Sequence, residues 1–308
     1  MGGLSGFVMV RTLRTLLTLL GVVTLTFMLG RISGDPVAMM LPQTATEADR
    51  LALQAALGLD KPIPEQFAIY VANLFQGDFG RSITFNRSAL DVVLERVPAT
   101  LALGLPSFLL SLLLGIPLGV LCACLRDSAL DRTVMSWSLI FQSLPSFVLG
   151  IGLIVIFGVV LRALPTFGSD TWQHYILPLV TLTVYPLAIL IRLTRSAMLD
   201  VLNDDYIRTA HAKGARGWRV LTHHALRNAL IPIITVTGLQ VAGILSGAAI
   251  IETVFAWPGI GRLAVNAIGV RDFPVVQTVV LFSAIAFAIS NLFVDILYAV
   301  VDPRIKVA

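Results

Sequence analysis

Apolar residues in this chain are gathered into long continuous runs rather than spaced at the period of a half-buried helix or strand. Six runs stand out, at roughly 16–29, 99–125, 134–161, 175–193, 229–251 and 275–301. Each of the last five is long enough to cross about 30 Å of hydrocarbon at about 1.5 Å per residue. The pattern predicts an all-α polytopic membrane protein with about six transmembrane helices. Pro106, Pro117, Pro145, Pro178, Pro186 and Pro232 fall within or at the ends of these runs. In a packed membrane bundle, neighbouring groups satisfy the carbonyls that proline frees, so none is expected to interrupt a span. The first run follows Arg11 and Arg14 and has the flank of a signal peptide. No small-x-small cleavage pattern follows it and further apolar runs do, so it reads as a retained helix entering from the cytoplasm.

The polar segments divide the chain into an N-terminus and first helix (1–30), an extracytoplasmic segment (31–97), a membrane core (98–301) and a cytoplasmic tail (302–308). Turn signals punctuate the second at Asp35-Pro36, Leu41-Pro42 and Lys61-Pro62. Between them two short helices are predicted, over 47–57 with a stop at Gly58, and over 64–75 with a stop near Gly77. Gly115-x-x-x-Gly119 and Gly243-x-x-x-Gly247 are spacings that permit close helix approach.

Composition supports the membrane reading and says little more. Of 308 residues, 56% are hydrophobic and 13% charged, with a mean hydropathy of +0.87. Soluble domains hold roughly 25% charged residues. The net charge of +4 requires no nucleic-acid partner, because cytoplasmic loops of membrane proteins collect Lys and Arg. Basic residues sit at Arg11 and Arg14, at Arg126 and Arg132, at Arg304 and Lys306, and seven times between Arg192 and Asn228. The intervening short loops on the other side hold Arg162, Arg262 and Arg271. Both termini and a loop over 194–228 are therefore expected in the cytoplasm.

Enzyme and metal signals are absent from the sequence. There is no GxxxxGK[ST], HExxH or GxSxG pattern. Cys122 and Cys124 lie two apart in an apolar run, where helical geometry points them to different faces. His223 and His224 project about 100° apart on a helix, so no metal site is expected there. Asp295 is the carboxylate well inside an apolar run, and an intramembrane charge is by default a functional candidate. Asn291 lies one turn before it, so a buried hydrogen-bonded pair is the alternative and preferred reading. The loop after the fourth run is more informative. Asp204 and Asp205 suit a helix start, Gly214 suits a left-handed stop, and a second short helix over 218–227 leads into the next span. Such a helical knob between two membrane helices could transmit force from a partner, or could be a solvated basic loop.

These loop residues also carry a resemblance. Asp205-Tyr206-Ile207-Arg208-Thr209-Ala210-x-Ala212-Lys213-Gly214, followed by Arg227-Asn228-x-x-Ile231-Pro232, resembles the EAA coupling loop of ABC importer permeases, closest to the dipeptide/oligopeptide branch. Arg208 stands where the general pattern has Glu. Gly58-Leu59-Asp60-Lys61-Pro62 and Gln76-Gly77-Asp78-Phe79-Gly80-x-Ser82 resemble the branch's outer segment. Glu252-Thr253-Val254-Phe255-x-Trp257-Pro258-Gly259-Ile260-Gly261-Arg262 with Arg271-Asp272-Phe273-Pro274 resembles its last outer loop. Asn291-Leu292-x-Val294-Asp295-x-Leu297-Tyr298 and Asp302-Pro303-Arg304 resemble its C-terminal end.

The resemblance implies a type I importer fold in a bacterial inner membrane, and a subunit forming half of a pathway for di- or oligopeptides or related small solutes. The alternative function is a gradient-driven secondary transporter or channel. The implied partners are a second, homologous permease, two ATP-binding subunits and an extracytoplasmic substrate-binding protein. ATP and Mg would be bound by the partner subunits, with no cofactor in this chain and no catalysis of its own. Asp205, Tyr206, Arg208, Thr209, Ala210, Lys213 and Gly214 would couple to the ATPase. Asp78, Glu252, Trp257, Arg262 and Arg271 would face the binding protein. Gln142, Tyr185, Thr235 and Gln240 are candidate pore-lining residues, because uncompensated polar groups avoid lipid.

Overall fold

A computed structural model describes residues 4–32, 46–56 and 58–301, with Val37, Leu41 and Thr44 between them. The Asp35-Pro36 turn and the Asp302-Pro303-Arg304 end lie outside the described residues, as do the side chains of Asp295 and of 241–247. Among the described residues the chain is helical, with one isolated antiparallel bridge, Arg81 to Ser88. The helices are α1 (Leu4–Ile32), α2 (Glu47–Ala56), α3 (Ile63–Phe75), α4 (Ala89–Leu94), α5 (Val97–Cys124), α6 (Ala129–Ser143) and α7 (Ser146–Leu153). They continue with α8 (Ile176–Leu202), α9 (Asp205–Ala212), α10 (Gly217–Arg219), α11 (Arg227–Gly247), α12 (Ala249–Val254), α13 (Ile260–Gly269) and α14 (Phe273–Val301). Wider π-helical turns extend α7 over Ile154–Val160 and α10 over Val220–Leu226.

Gly58 and Gly77 end α2 and α3 with φ of +63° and +79°, a conformation that costs a Cβ-bearing residue far more than glycine. The prolines behave less uniformly than expected. Pro106 and Pro117 sit inside α5, Pro186 inside α8 and Pro232 inside α11. Pro145 does not. It separates α6 from α7 with a bend of 102°, so the run expected as one span over 134–161 is a broken one. Proline disfavours helical backbone in the residue before it. Leu144 is accordingly extended at φ −86°, ψ 125°, while Pro145 opens the next helix as its cap.

The most extensive helix pair is α5 with α8. A Cβ on Gly115 would lie 2.9 Å from Leu190 Cβ, and one on Gly119 would lie 2.5 Å from Thr194 Cβ and 2.8 Å from the Ile191 carbonyl oxygen. Glycine is what lets the two backbones approach. The matched steps, 115 with 190 and 119 with 194, make the pair parallel.

Three buried clusters fix the ends of the bundle. At one end Ala123, Met198, Ile207, Val220, Ala225 and Ala229 join the last turns of α5 and α8 to α9 and the start of α11. At the other, Val92 and Val93 of α4 pack with Ile260 and Leu263 of α13 and Val275 and Val279 of α14. Beside that second cluster Leu177 of α8 meets Ile251 and Phe255, with Leu153 and Phe157 packed around them. Gln277 near the start of α14 donates from Nε2 to the Thr26 carbonyl at 2.9 Å, so α1 finishes where α14 begins. The path therefore crosses six times: α1, α5, the bent α6–α7 pair, α8, α11 and α14. Four of these are single helices long and apolar enough to span a membrane, and the bent pair makes five. The 21-residue α11 supplies the sixth traverse, running from the cluster at Ala229 to α12. An even number of traverses puts Leu4, Val301 and α9 at the same end.

Candidate functional site

Three regions hold the residues singled out in the sequence. The first is a cavity of about 550 Å³ walled by α5, the α6–α7 bend, α8, α11 and Ala248. Pro145 creates it: by turning the chain through 102° the bend swings Gln142, Ser143 and Ser146 onto the wall. Tyr185 of α8 and Gln240 of α11 line the same space, with Ser107 and Thr181. Three of the four candidate pore residues are thus brought together, and Thr235 stands apart from them. Among the described residues Gln142 Nε2 and both amide atoms of Gln240 are buried without a hydrogen-bond partner. A buried polar atom left unpaired costs about 1–3 kcal/mol, which is removed when water or a polar solute fills the space. The only ionisable group on this wall, among the described residues, is the Tyr185 phenol.

The second region is the α9 loop. Ile207 is buried against the ends of α5 and α8, and Ala210 packs partly against the same cluster. Ala210 therefore supports α9 from inside instead of forming an outward contact. The Ala215 amide donates to the Ala210 carbonyl at 3.1 Å, and Gly214 takes φ +79°, which closes the helix in the left-handed manner expected. Tyr206 accepts from Asn228 Nδ2 at 2.7 Å, tying α9 to the start of α11. Asp205, Arg208, Thr209, Lys213 and Gly214 are exposed. So is Trp218, at 75%, an indole whose outward position the motif did not identify. The His223 and His224 rings meet edge to face, with centroids 5.8 Å apart.

The third region is the outer loop around α12 and α13, and here the sequence expectation needs correcting. Glu252 and Trp257 are 0% and 1% exposed; they face the chain's own interior, not a partner. The Ile260 amide donates to Thr100 Oγ1 at 2.8 Å, and Thr100 Oγ1 donates to Glu252 Oε1 at 2.7 Å. The Arg262 amide donates to Glu252 Oε2 at 3.0 Å. A Cβ on Gly259 would collide with the Glu252 carboxylate. Trp257 Nε1 donates to the Ala99 carbonyl at 2.8 Å while its ring stands edge-on to Tyr175, 4.5 Å between centroids. Nearby, Asp272 is a second buried carboxylate. It accepts from Ser82 Oγ at 2.6 Å and from the Ile83 and Thr84 amides at 3.2 and 3.0 Å. The two motifs matched separately in the sequence are thus one unit, the outer segment clamped onto the last outer loop. Asp78 and Arg271 remain exposed, and Arg262 is half-buried.

Comparison with known proteins decides the family. Residues 115–307 match the model of the binding-protein-dependent transport system inner membrane component, and residues 4–104 match that of its N-terminal portion. The chain belongs to this family. It is 41% identical over 302 residues to the glutathione transport system permease protein GsiC of Salmonella choleraesuis (strain SC-B67), covering 97% of this chain and 98% of that one. It is 40% identical over the same length to GsiC of Escherichia coli (strain K12). In fold it is similar to a chain of the MetNI methionine ABC transporter in an inward-facing conformation, with a TM-score of 0.57, 22% identity and coverage of 68% of this chain and 96% of that one. This protein is accordingly a permease component of an ABC importer, a multi-pass protein of the bacterial inner membrane, and works with ATPase and substrate-binding components.

Proposed function

We propose that this permease forms one half of a translocation pathway for peptide-like solutes of about di- to oligopeptide size, glutathione included. The cavity at the α6–α7 bend carries this reading. Its wall combines hydroxyls with the unpartnered Gln142 Nε2 and Gln240 carboxamide, groups that exchange hydrogen bonds with peptide amides without requiring a particular charge. The relatives' assignment to glutathione transport supports the same class. A second, homologous permease completes the pathway, and two ATPase subunits, which bind ATP and Mg, dock on the exposed face of α9. The chain itself performs no hydrolysis. The α9 end of the bundle, with both chain ends, lies in the cytoplasm.

The test is uptake of a labelled tripeptide into proteoliposomes holding the full complex, with binding protein outside and ATP inside. Uptake is expected to require ATP and to persist when the proton gradient is collapsed. Uptake driven by a gradient through this chain alone would overturn the proposal in favour of a secondary transporter.

A further inference from the structure

We propose that a cationic pocket at the end of the molecule opposite α9 receives an Asp or Glu side chain of the substrate-binding protein. The proposal rests on the importer reading and goes beyond it by naming the contact. The pocket has a volume of about 320 Å³ and lies where the outer segment meets α13, with Thr84, Phe85, Arg96, Arg262, Asn266 and Asp272 on its walls. That volume is at the small end of ligand sites and suits one side chain rather than a helix or a free oligopeptide.

The charge balance selects the occupant. Among the described residues, the Arg96 guanidinium has no hydrogen bond or ion pair; Glu95, its neighbour in sequence, is hydrogen-bonded and ion-paired to Arg87 and acts on Arg96 only as a more distant charge. Arg262 commits Nη1 to the Ala256 carbonyl, which leaves other N–H groups of the fork available. Asp272 is the one acidic wall residue, and both its oxygens are already used by Ser82, Ile83 and Thr84. Two guanidiniums therefore face a single committed carboxylate, and an incoming carboxylate finds planar donors of matching geometry. Asn266 is exposed at the rim beside the Phe85 ring, a mixture of amide and aromatic surface typical of protein contacts.

The position gives the contact a consequence. Arg262 is the residue whose backbone amide holds Glu252. Glu252 lies on α12, directly after Ala248, which walls the central cavity. A carboxylate drawn between Arg96 and Arg262 bears on the α12–α13 unit, whose first helix begins one residue after Ala248 of the cavity wall.

The experiment measures the Kd of the cognate binding protein for the full complex in nanodiscs, by fluorescence anisotropy. Arg96→Gln is expected to weaken binding about tenfold, with Arg96→Glu weaker still. Partial recovery is expected when one acidic residue on the docking face of the binding protein is changed to Arg. Asn266→Asp alters an exposed side chain, so it tests the pocket without endangering the fold. It places a competing carboxylate at the rim and is also expected to weaken binding. Unchanged Kd in both Arg96→Glu and Asn266→Asp, with wild-type binding intact, overturns the pocket alone. Absence of any binding to the wild-type complex overturns the importer reading instead. A loss that appears with phosphatidylglycerol discs and vanishes with neutral lipid would assign the pocket to a lipid headgroup, and the docking proposal fails.

Discussion

Two buried carboxylates show how much at the residue scale depends on complete pairing. Glu252 has no cation within ion-pair distance among the described residues; hydroxyl and amide donors hold it instead. Glu252→Ala strands the Arg262 amide and leaves a void beside Gly259. An expected loss of about 2–3 kcal/mol results from unpaired buried groups. Glu252→Gln keeps an acceptor and should lose less, and thermal unfolding of the detergent-solubilised protein would rank the two. Asp131 is held differently. Its side chain is 2% exposed and takes a bidentate contact from Arg195, at 2.6 and 2.7 Å, which joins α6 to the last turns of α8. Breaking such a pair from one side costs about 3–5 kcal/mol, because a buried charge is left behind. Arg195→Met should therefore sharply reduce the folded fraction, and adding Asp131→Leu should recover part of it. Equal loss in the single and double variants would mean that the pair contributes packing only. Neither carboxylate was legible in the sequence as buried. The motif around Glu252 gave a loop its place in the chain, but side-chain direction within a loop depends on tertiary contacts such as Thr100, more than 150 positions away.

At the element scale, continuous apolar runs translate directly into helices, and the stops expected at Gly58, Gly77 and Gly214 all take left-handed backbone, which the sequence predicts only at Gly214. Pro145 was the exception, and sequence offered little to distinguish it from Pro106 or Pro186. The difference lies in the helix on its C-terminal side, which packs in a new direction against α8 and α12. Because the bend builds the cavity wall, Pro145→Ala should favour a straighter α6–α7 and reduce tripeptide uptake more than it reduces the amount of assembled complex. For α9 the expectation divides between two positions. A Cβ at Gly214 would meet no atom within 4 Å, so the cost of Gly214→Val is the positive φ alone, about 1 kcal/mol or more. That is small against the packing of six traverses, so the variant should assemble. ATPase stimulation by loaded binding protein should fall. Ala210, in contrast, is packed inward, and a large charged residue there should loosen α9 itself, lowering assembly together with stimulation.

For the whole molecule the parity of crossings and the charge of the loops give independent accounts of topology. The path from α1 to α14 puts Leu4 and Val301 at the same end as α9, whichever face of the membrane that is. The seven basic residues between Arg192 and Asn228 then choose the face, because short basic loops stay in the cytoplasm. The decisive sites are Thr44, in the segment before α2, and Gly217, at the start of α10; both are exposed. The background must lack both native cysteines, since Cys124 is exposed although Cys122 is buried. Gly217 has open space around a Cβ and an ordinary backbone, so Gly217→Cys should not disturb the loop. In intact spheroplasts a membrane-impermeant maleimide should modify Thr44→Cys and leave Gly217→Cys unlabelled until the cells are opened. Labelling of both in sealed cells would break the parity of six traverses. Labelling of Gly217→Cys alone would invert the molecule, place α9 on the side of the membrane where no ATPase has access to ATP, and remove the basis for coupling through it.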